Sequence, residues 1–294
     1  MIAVSLLFLT GHRSAIRDGR HSPLPAAVAK YAFLSFYALL ILYPLFFLLI
    51  SSLKSNDEIF TRPWGLPLEW NVRSYAQVWG QYEVSRYFLN SLYYSTISVV
   101  ITVAICSTAS YAIARLKWEL SGLTLGYFLL GLMVPTHSTL VPLYITFSKL
   151  GMNHPRVTMI LLFVAFSIPF SVFVLSGFIR SIPKEMEESA VMDGCSLPKA
   201  FWRIVFPLLT PPLATVTIFN FLGSWNDLIF SLIFINDEAF KPIQLGIMRF
   251  QGNFSTNYSL MLSAIVIALV PSTIVYVLLQ NKIVDGFTAG AVKG

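Results

Sequence analysis

Charge is scarce in this sequence. Asp, Glu, Lys and Arg make up 12% of its 294 residues, against about 25% in an average soluble domain. Such a chain is not solvated on all sides, and its hydrophobic share of 56% and mean hydropathy of +0.70 agree. Cysteine is nearly absent. Cys106 falls in an apolar run and Cys195 in a polar loop, so no disulfide framework is implied. No G-x-x-x-x-G-K-[ST] phosphate loop occurs, so the chain is not expected to supply an ATP site. The apolar runs hold no H-E-x-x-H, Ser–Lys or paired-Asp arrangement, and His12, His21, His137 and His154 lack metal-ligand spacing. The chain is therefore expected to be no enzyme and to hold no cofactor or metal of its own. Its net charge of +6 comes without a basic stripe interleaved with aromatics, so nucleic acid is not expected as a partner.

Long apolar runs are what the sequence has. A bilayer core of about 30 Å takes about 20 residues per helix, and six runs meet or approach that length. They are Tyr31–Leu53, Asn90–Ala114, Leu123–Leu143, Val157–Ile179, Leu208–Ile235 and Tyr258–Leu279. None alternates as barrel strands do. An all-α membrane protein, a bundle of six transmembrane helices surrounded by lipid, is the expected fold. No polar linker divides it, so residues 31–294 read as one transmembrane domain. Residues 1–30 read as a cytoplasmic extension. Their apolar start is followed rather than preceded by Arg13, Arg17 and Arg20, the wrong order for a secretory signal. With the N-terminus inside, twelve of the twenty Lys and Arg fall on the inner side, which places both termini in the cytoplasm.

One charged, helix-prone stretch interrupts the pattern on that inner side, EESAVMDGCSLPKAFWRIVFP (Glu187–Pro207). Pro183 suits a helix first turn, with Glu185, Glu187 and Glu188 near its positive end. Gly194 permits a sharp turn, and Ser196 and Pro198 suit the start of a second helix. Pro207 disfavours helix at Phe206. Connections between bundled helices usually take about 2–8 residues. A longer connection with its own helices is a docking surface.

These residues also carry a resemblance. Glu188-Ser189-Ala190, three residues, Gly194, nine residues, then Ile204-Val205-Phe206-Pro207 resembles the EAA loop of ATP-binding-cassette importer permeases. Ser189 stands for the first alanine of that pattern and Phe206 for its leucine. ASYAIARLKW (Ala109–Trp118), MVPTHSTLVPLY (Met133–Tyr144), SWNDLIF (Ser224–Phe230) and GFTAGAVKG (Gly286–Gly294, with Phe287 where leucine is commoner) are similar to the MalG-type permease subunit of carbohydrate importers. The resemblance implies the type I ABC importer permease fold in a bacterial or archaeal plasma membrane. It implies a second, MalF-like permease subunit, two copies of a cytosolic ATPase that bind the ATP and Mg, and an extracytoplasmic substrate-binding protein. Segment 181–207 would then couple to the ATPase through Glu188, Ser189, Ala190, Gly194, Ile204 and Pro207. Ala291, Val292, Lys293 and Gly294 would make a second ATPase contact, and Gln251, Asn253 and Phe254 would meet the binding protein.

The membrane path is the remaining question. Asn220, Gly223, Ser224, Asp227 and Ser231 fall on one face of a helix, with Trp225 and Asn226 beside them. A carboxylate inside a membrane usually faces a cavity or a partner. Asn220, Ser224, Trp225, Asn226 and Asp227 are therefore expected to line a translocation path or gate. The other reading has Asp227 solvated at the outer interface and the small residues packing helices. A second stripe, Ser91, Ser95, Ser98, Thr102 and Cys106, reads as helix packing. The rival function is a self-contained secondary transporter or channel for a small solute. It would call for ionisable relay residues in several runs, and apart from Asp227 the runs are nearly free of acids.

Overall fold

The computed structural model describes residues 24–116, 118–152, 154–252 and 256–291. The main helices are α1 Leu24–Ser51, α2 Val84–Arg115, α3 Ser121–Gly131, α4 Leu140–Lys149, α5 Pro155–Ser181, α6 Glu185–Met192, α7 Leu197–Ala200, α8 Thr210–Trp225, α9 Ile229–Phe234, α10 Ile243–Met248 and α11 Tyr258–Ala291. Among the described residues the sole β feature is an isolated bridge between Gln251 and Thr256. The all-α expectation holds.

Four of the expected spans are single helices long and apolar enough to cross a membrane, α1, α2, α5 and α11. The other two are bent. The third turns by 88° between Ser121–Gly131 and Thr136–Lys149, where Pro135 forbids a continuous hydrogen-bond ladder. The fifth is not the uninterrupted run Leu208–Ile235. Its helix α8 meets Leu197–Leu208 at 74°, ends at Trp225 and restarts as α9. Pro169 and Pro271 lie inside helices that continue through them.

The chain forms two compact units. The smaller comprises residues up to Tyr82 with Phe250–Ile267. There the ammonium of Lys54, fully buried, donates to the carbonyls of Arg62 and Pro63 at 2.8 and 3.0 Å. Ser259 and Ser263 of α11 donate to the carbonyls of Lys54 and Ser52. Of the apolar window of α1, 6% is buried.

The larger unit, Glu83–Arg249 with the chain from Ala268, carries segment 181–207 and the stripe from Asn220 to Ser231. Its spine is α2, packed against α5, α8 and α10. Ser91, Ser95, Ser98, Thr102 and Cys106 are all buried there, as a stripe of small residues that lets helices approach should be. Gly131 sits so close to Pro169 that a Cβ would lie 2.6 Å from the ring.

Candidate functional site

Segment 181–207 folds as two helices with a turn. Three glutamates occupy the first turn of α6. The helix closes in a Schellman arrangement, with Gly194 N–H donating to Val191 O and Cys195 N–H to Ala190 O, both at 2.9 Å. Gly194 takes φ +82°, the left-handed region that glycine occupies without steric cost. Three details depart from expectation. Pro183 precedes the helix, which starts at Glu185 after Lys184. Ser196 has the extended backbone of an N-cap, but its side chain makes no capping bond. Phe206 is helical despite the following proline. A π turn at Phe201–Val205 widens the ladder there, with Phe206 N–H donating to Phe201 O. This shift in hydrogen-bond register lets the chain pass Pro207.

A buried ion pair fastens this segment to the spine. Arg115 Nε lies 2.7 Å from Glu187 Oε1, with the two side chains 5% and 10% exposed. Tyr111 Oη donates to Glu187 Oε2 at 2.9 Å, and Arg115 Nη2 donates to Ile182 O at 2.6 Å. The sequence reading missed all three. Its signal was the i, i+4 spacing of Tyr111 and Arg115 on the last turn of α2, opposite the glutamate just before Glu188. Glu188 itself is exposed, Ser189 donates back to Glu185 O, Ala190 and Ile204 are half-buried, and Pro207 is exposed. The apolar side chains of Met186, Val191, Met192, Leu197 and Trp202 stand out from the segment, Met192 with 87% of its surface exposed.

The path residues are split. A cavity of about 620 Å³ is lined by α5, α8, α9 and the turn at Thr136–Thr139. Asn220, Gly223, Ser224, Asn226 and Asp227 line it, together with Phe163, Phe166, Ser167, Phe170, Phe219 and His137. Trp225 does not. It lies about 100° around the helix from Ser224 and is 1% exposed, stacked on Phe221 and edge-on to Phe88, with its N–H donating to Ala268 O at 3.0 Å. Trp225 is therefore a packing residue.

Asn220 donates to Ser171 Oγ at 2.9 Å and ties α8 to α5. Asp227 accepts from Phe230 N–H, Ser231 N–H and Ser231 Oγ at 3.3, 2.9 and 2.8 Å, which satisfies the start of α9 where the span breaks. Ser231 is buried at that cap rather than lining the cavity. The phenylalanines were the missed signal here, since Phe163, Phe166 and Phe170 repeat at helical spacing on α5.

Ala291 ends α11, and Val292, Lys293 and Gly294 lie outside the described residues. Gln251 is exposed and forms the bridge to Thr256, while Asn253 and Phe254 lie outside the described residues.

In the larger unit, Tyr87 Oη donates to Glu238 Oε1 and accepts from Arg249 Nη1, and Lys241 Nζ lies 2.6 Å from Glu238 Oε2. The bond from Lys241, then that from Tyr87, holds the Glu238 carboxyl below its usual range. A depressed folded pKa gives stability that is complete above the unfolded value and lost as pH falls through the folded one. Because the side chain is 41% exposed, the loss should be at most about 1 kcal/mol. Thermal unfolding of wild type should therefore fall slightly between pH 6 and pH 3.5, and Glu238→Gln should flatten that difference.

A family model described as the inner membrane component of binding-protein-dependent transport systems matches residues 107–286. The chain is 35% identical over 264 residues to the probable ABC transporter permease protein YurM of Bacillus subtilis, covering 90% of this chain and 88% of that one. It is 31% identical over 252 residues to the melibiose/raffinose/stachyose import permease protein MelC of the same organism, with 85% and 91% covered. It is 30% identical over 271 residues to the diacetylchitobiose uptake system permease protein NgcG of Streptomyces coelicolor, with 91% and 89% covered. In fold it is similar to a chain of a bacterial ABC transporter involved in the import of alginate. That match has a TM-score of 0.79 at 19% identity and covers 89% of this chain and 99% of that one.

Proposed function

Because the chain belongs to the family of binding-protein-dependent transport system inner membrane components, we propose that it forms half of an ATP-driven pore for a saccharide and is coupled to two cytosolic ATPases through segment 181–207. As a permease of such an importer it is a multi-pass protein of the plasma membrane, paired with another permease and served by a binding protein. That role is distinct from a self-contained secondary transporter or channel. The saccharide is inferred from relatives whose names give melibiose, raffinose, stachyose and diacetylchitobiose.

One observation carries the coupling: a helical pair held to the spine by a buried ion pair while its apolar side chains face outward. Covering Met192 and its neighbours in an ATPase groove would bury apolar surface at about 25 cal/mol per Å². ATP and Mg bound by the ATPase would draw the coupling segments together, and α2 would follow through Arg115. This is a rigid-body switch between two states, biased by a ligand. Both termini are then cytoplasmic, Ala291–Gly294 add a second ATPase contact, and Gln251, Asn253 and Phe254 meet the binding protein on the opposite side. Transmembrane region 31–294 acts as the transporting domain, with residues 1–30 an extension.

Two variants test the coupling. Gly194→Val places a β-branched residue at φ +82°, a strain of about 1–3 kcal/mol, and Glu188→Lys reverses an exposed charge. Both proteins should insert with their partner permease yet retain little ATPase on purification, and transport should fall at least tenfold. Wild-type uptake by both would end the assignment of 181–207 as the coupling segment.

A further inference from the structure

We infer that this chain itself supplies a saccharide-contact subsite in the cavity beside α8, and that the subsite takes uncharged rather than acidic sugars. The inference rests on the importer reading above and adds the substrate's charge and the surface that holds it. The sequence left open whether these residues line a path or only a gate. The cavity argues for more.

Its volume of about 620 Å³ lies within the range of about 300–1,000 Å³ usual for small-molecule sites. Its wall is built of phenyl rings in two pairs, Phe170 with Phe219 and Phe166 with Phe230, each with centroids 5.2 Å apart. Phe219 presents 59% of its surface, an apolar ring face that matches the C–H face of a pyranose. At the polar end, the cap on α9 fixes the Asp227 carboxylate with three donors. A carboxylate has about four acceptor positions, so one remains for a sugar hydroxyl. Ser224 spends its own hydroxyl proton on Asn220 O.

The charge follows from the lining. It holds one carboxylate and one imidazole, His137, and among the described lining residues no lysine or arginine. On the wall this chain supplies, an acidic sugar would meet no lysine or arginine among the described lining residues. A second negative charge within about 5 Å of Asp227 is disfavoured by roughly a hundredfold at an effective dielectric of about 20.

Gly223 supplies the probe. It lines the cavity, and a Cβ there would meet nothing within 4 Å. Gly223→Cys in a Cys195→Ser background would be assembled as the complete importer in nanodiscs, with its binding protein, ATP and Mg. ATP-dependent uptake and alkylation by N-ethylmaleimide would be measured with melibiose, raffinose, diacetylchitobiose or trigalacturonate. The expected result is uptake of an uncharged probe that also slows alkylation. Phe219→Ala, an exposed position whose loss leaves the core intact, should raise the sugar concentration needed for protection by roughly tenfold. Protection by trigalacturonate, or its uptake in preference to the others, overturns the charge selection. Uptake of an uncharged probe without protection overturns the subsite and leaves the importer standing. If no probe is taken up, the saccharide reading fails and this inference fails with it.

Discussion

Replacing Arg115 by methionine is expected to have the largest effect on stability of any single change around segment 181–207. Glu187 would keep its place beside Tyr111 and lose its countercharge while nine-tenths buried. Breaking a buried pair from one side costs about 3–5 kcal/mol, because the remaining charge is left without compensation. Arg115 also holds Ile182 O, so the end of α5 loses a donor in the same step. The loss should appear first as local opening, with a protease cutting within residues 183–200 under conditions in which wild type resists. ATPase activity should cease to respond to the binding protein before global unfolding. The double variant Arg115→Met/Glu187→Met separates charge from packing, since replacing a whole buried pair by apolar side chains is often neutral. It should recover most of the protease resistance. A single variant that costs less than about 1 kcal/mol would mean that the pair behaves as an exposed one and that the segment is held by something else.

That pair shows where sequence reasoning stops. The helical turn at Gly194 was legible because one residue type relieves one backbone conformation, and the glutamates of the first turn were legible from the helix dipole. The partner of Glu187 was not, since Arg115 lies far along the chain and the contact exists only once α2 and α6 pack. The cavity divides in the same way. Asn220, Gly223, Ser224 and Asp227 were found by their helical stripe, and all four do line it. The stripe gave no sign that the helix breaks after Trp225, because Asn226 and Asp227 fit the period as well as they fit a cap. Trp225, one residue on from Ser224, falls off the stripe and into the core. An amphipathic ring in a membrane run suits a sugar face or a packed core equally well, and only the position of Phe88, Phe221 and the Ala268 carbonyl decides between them. Pro207 misled in the opposite sense, because a local rule was overridden by a π turn that no propensity announces.

Two glycines of the larger unit should respond to enlargement in opposite ways. Gly246 on α10 lies against Tyr87, where a Cβ would come within 2.3 Å of the ring. Tyr87 is fully buried and held by Glu238 and Arg249, so the ring cannot swing aside without breaking both bonds. Gly246→Val should therefore cost about 1–3 kcal/mol or more through overpacking and lower the melting temperature of the purified complex. Gly223 faces open cavity, and Gly223→Trp has room for its side chain there. That variant should assemble and melt like wild type while uptake falls at least a hundredfold, because the indole would occupy the space between Phe219 and Asp227. Uptake and melting temperature measured on the same two preparations decide the matter. If Gly223→Trp transported normally, solute would be passing elsewhere and the cavity would be a fold between helices. If it lost stability instead, the space would be one that the assembled complex fills with protein.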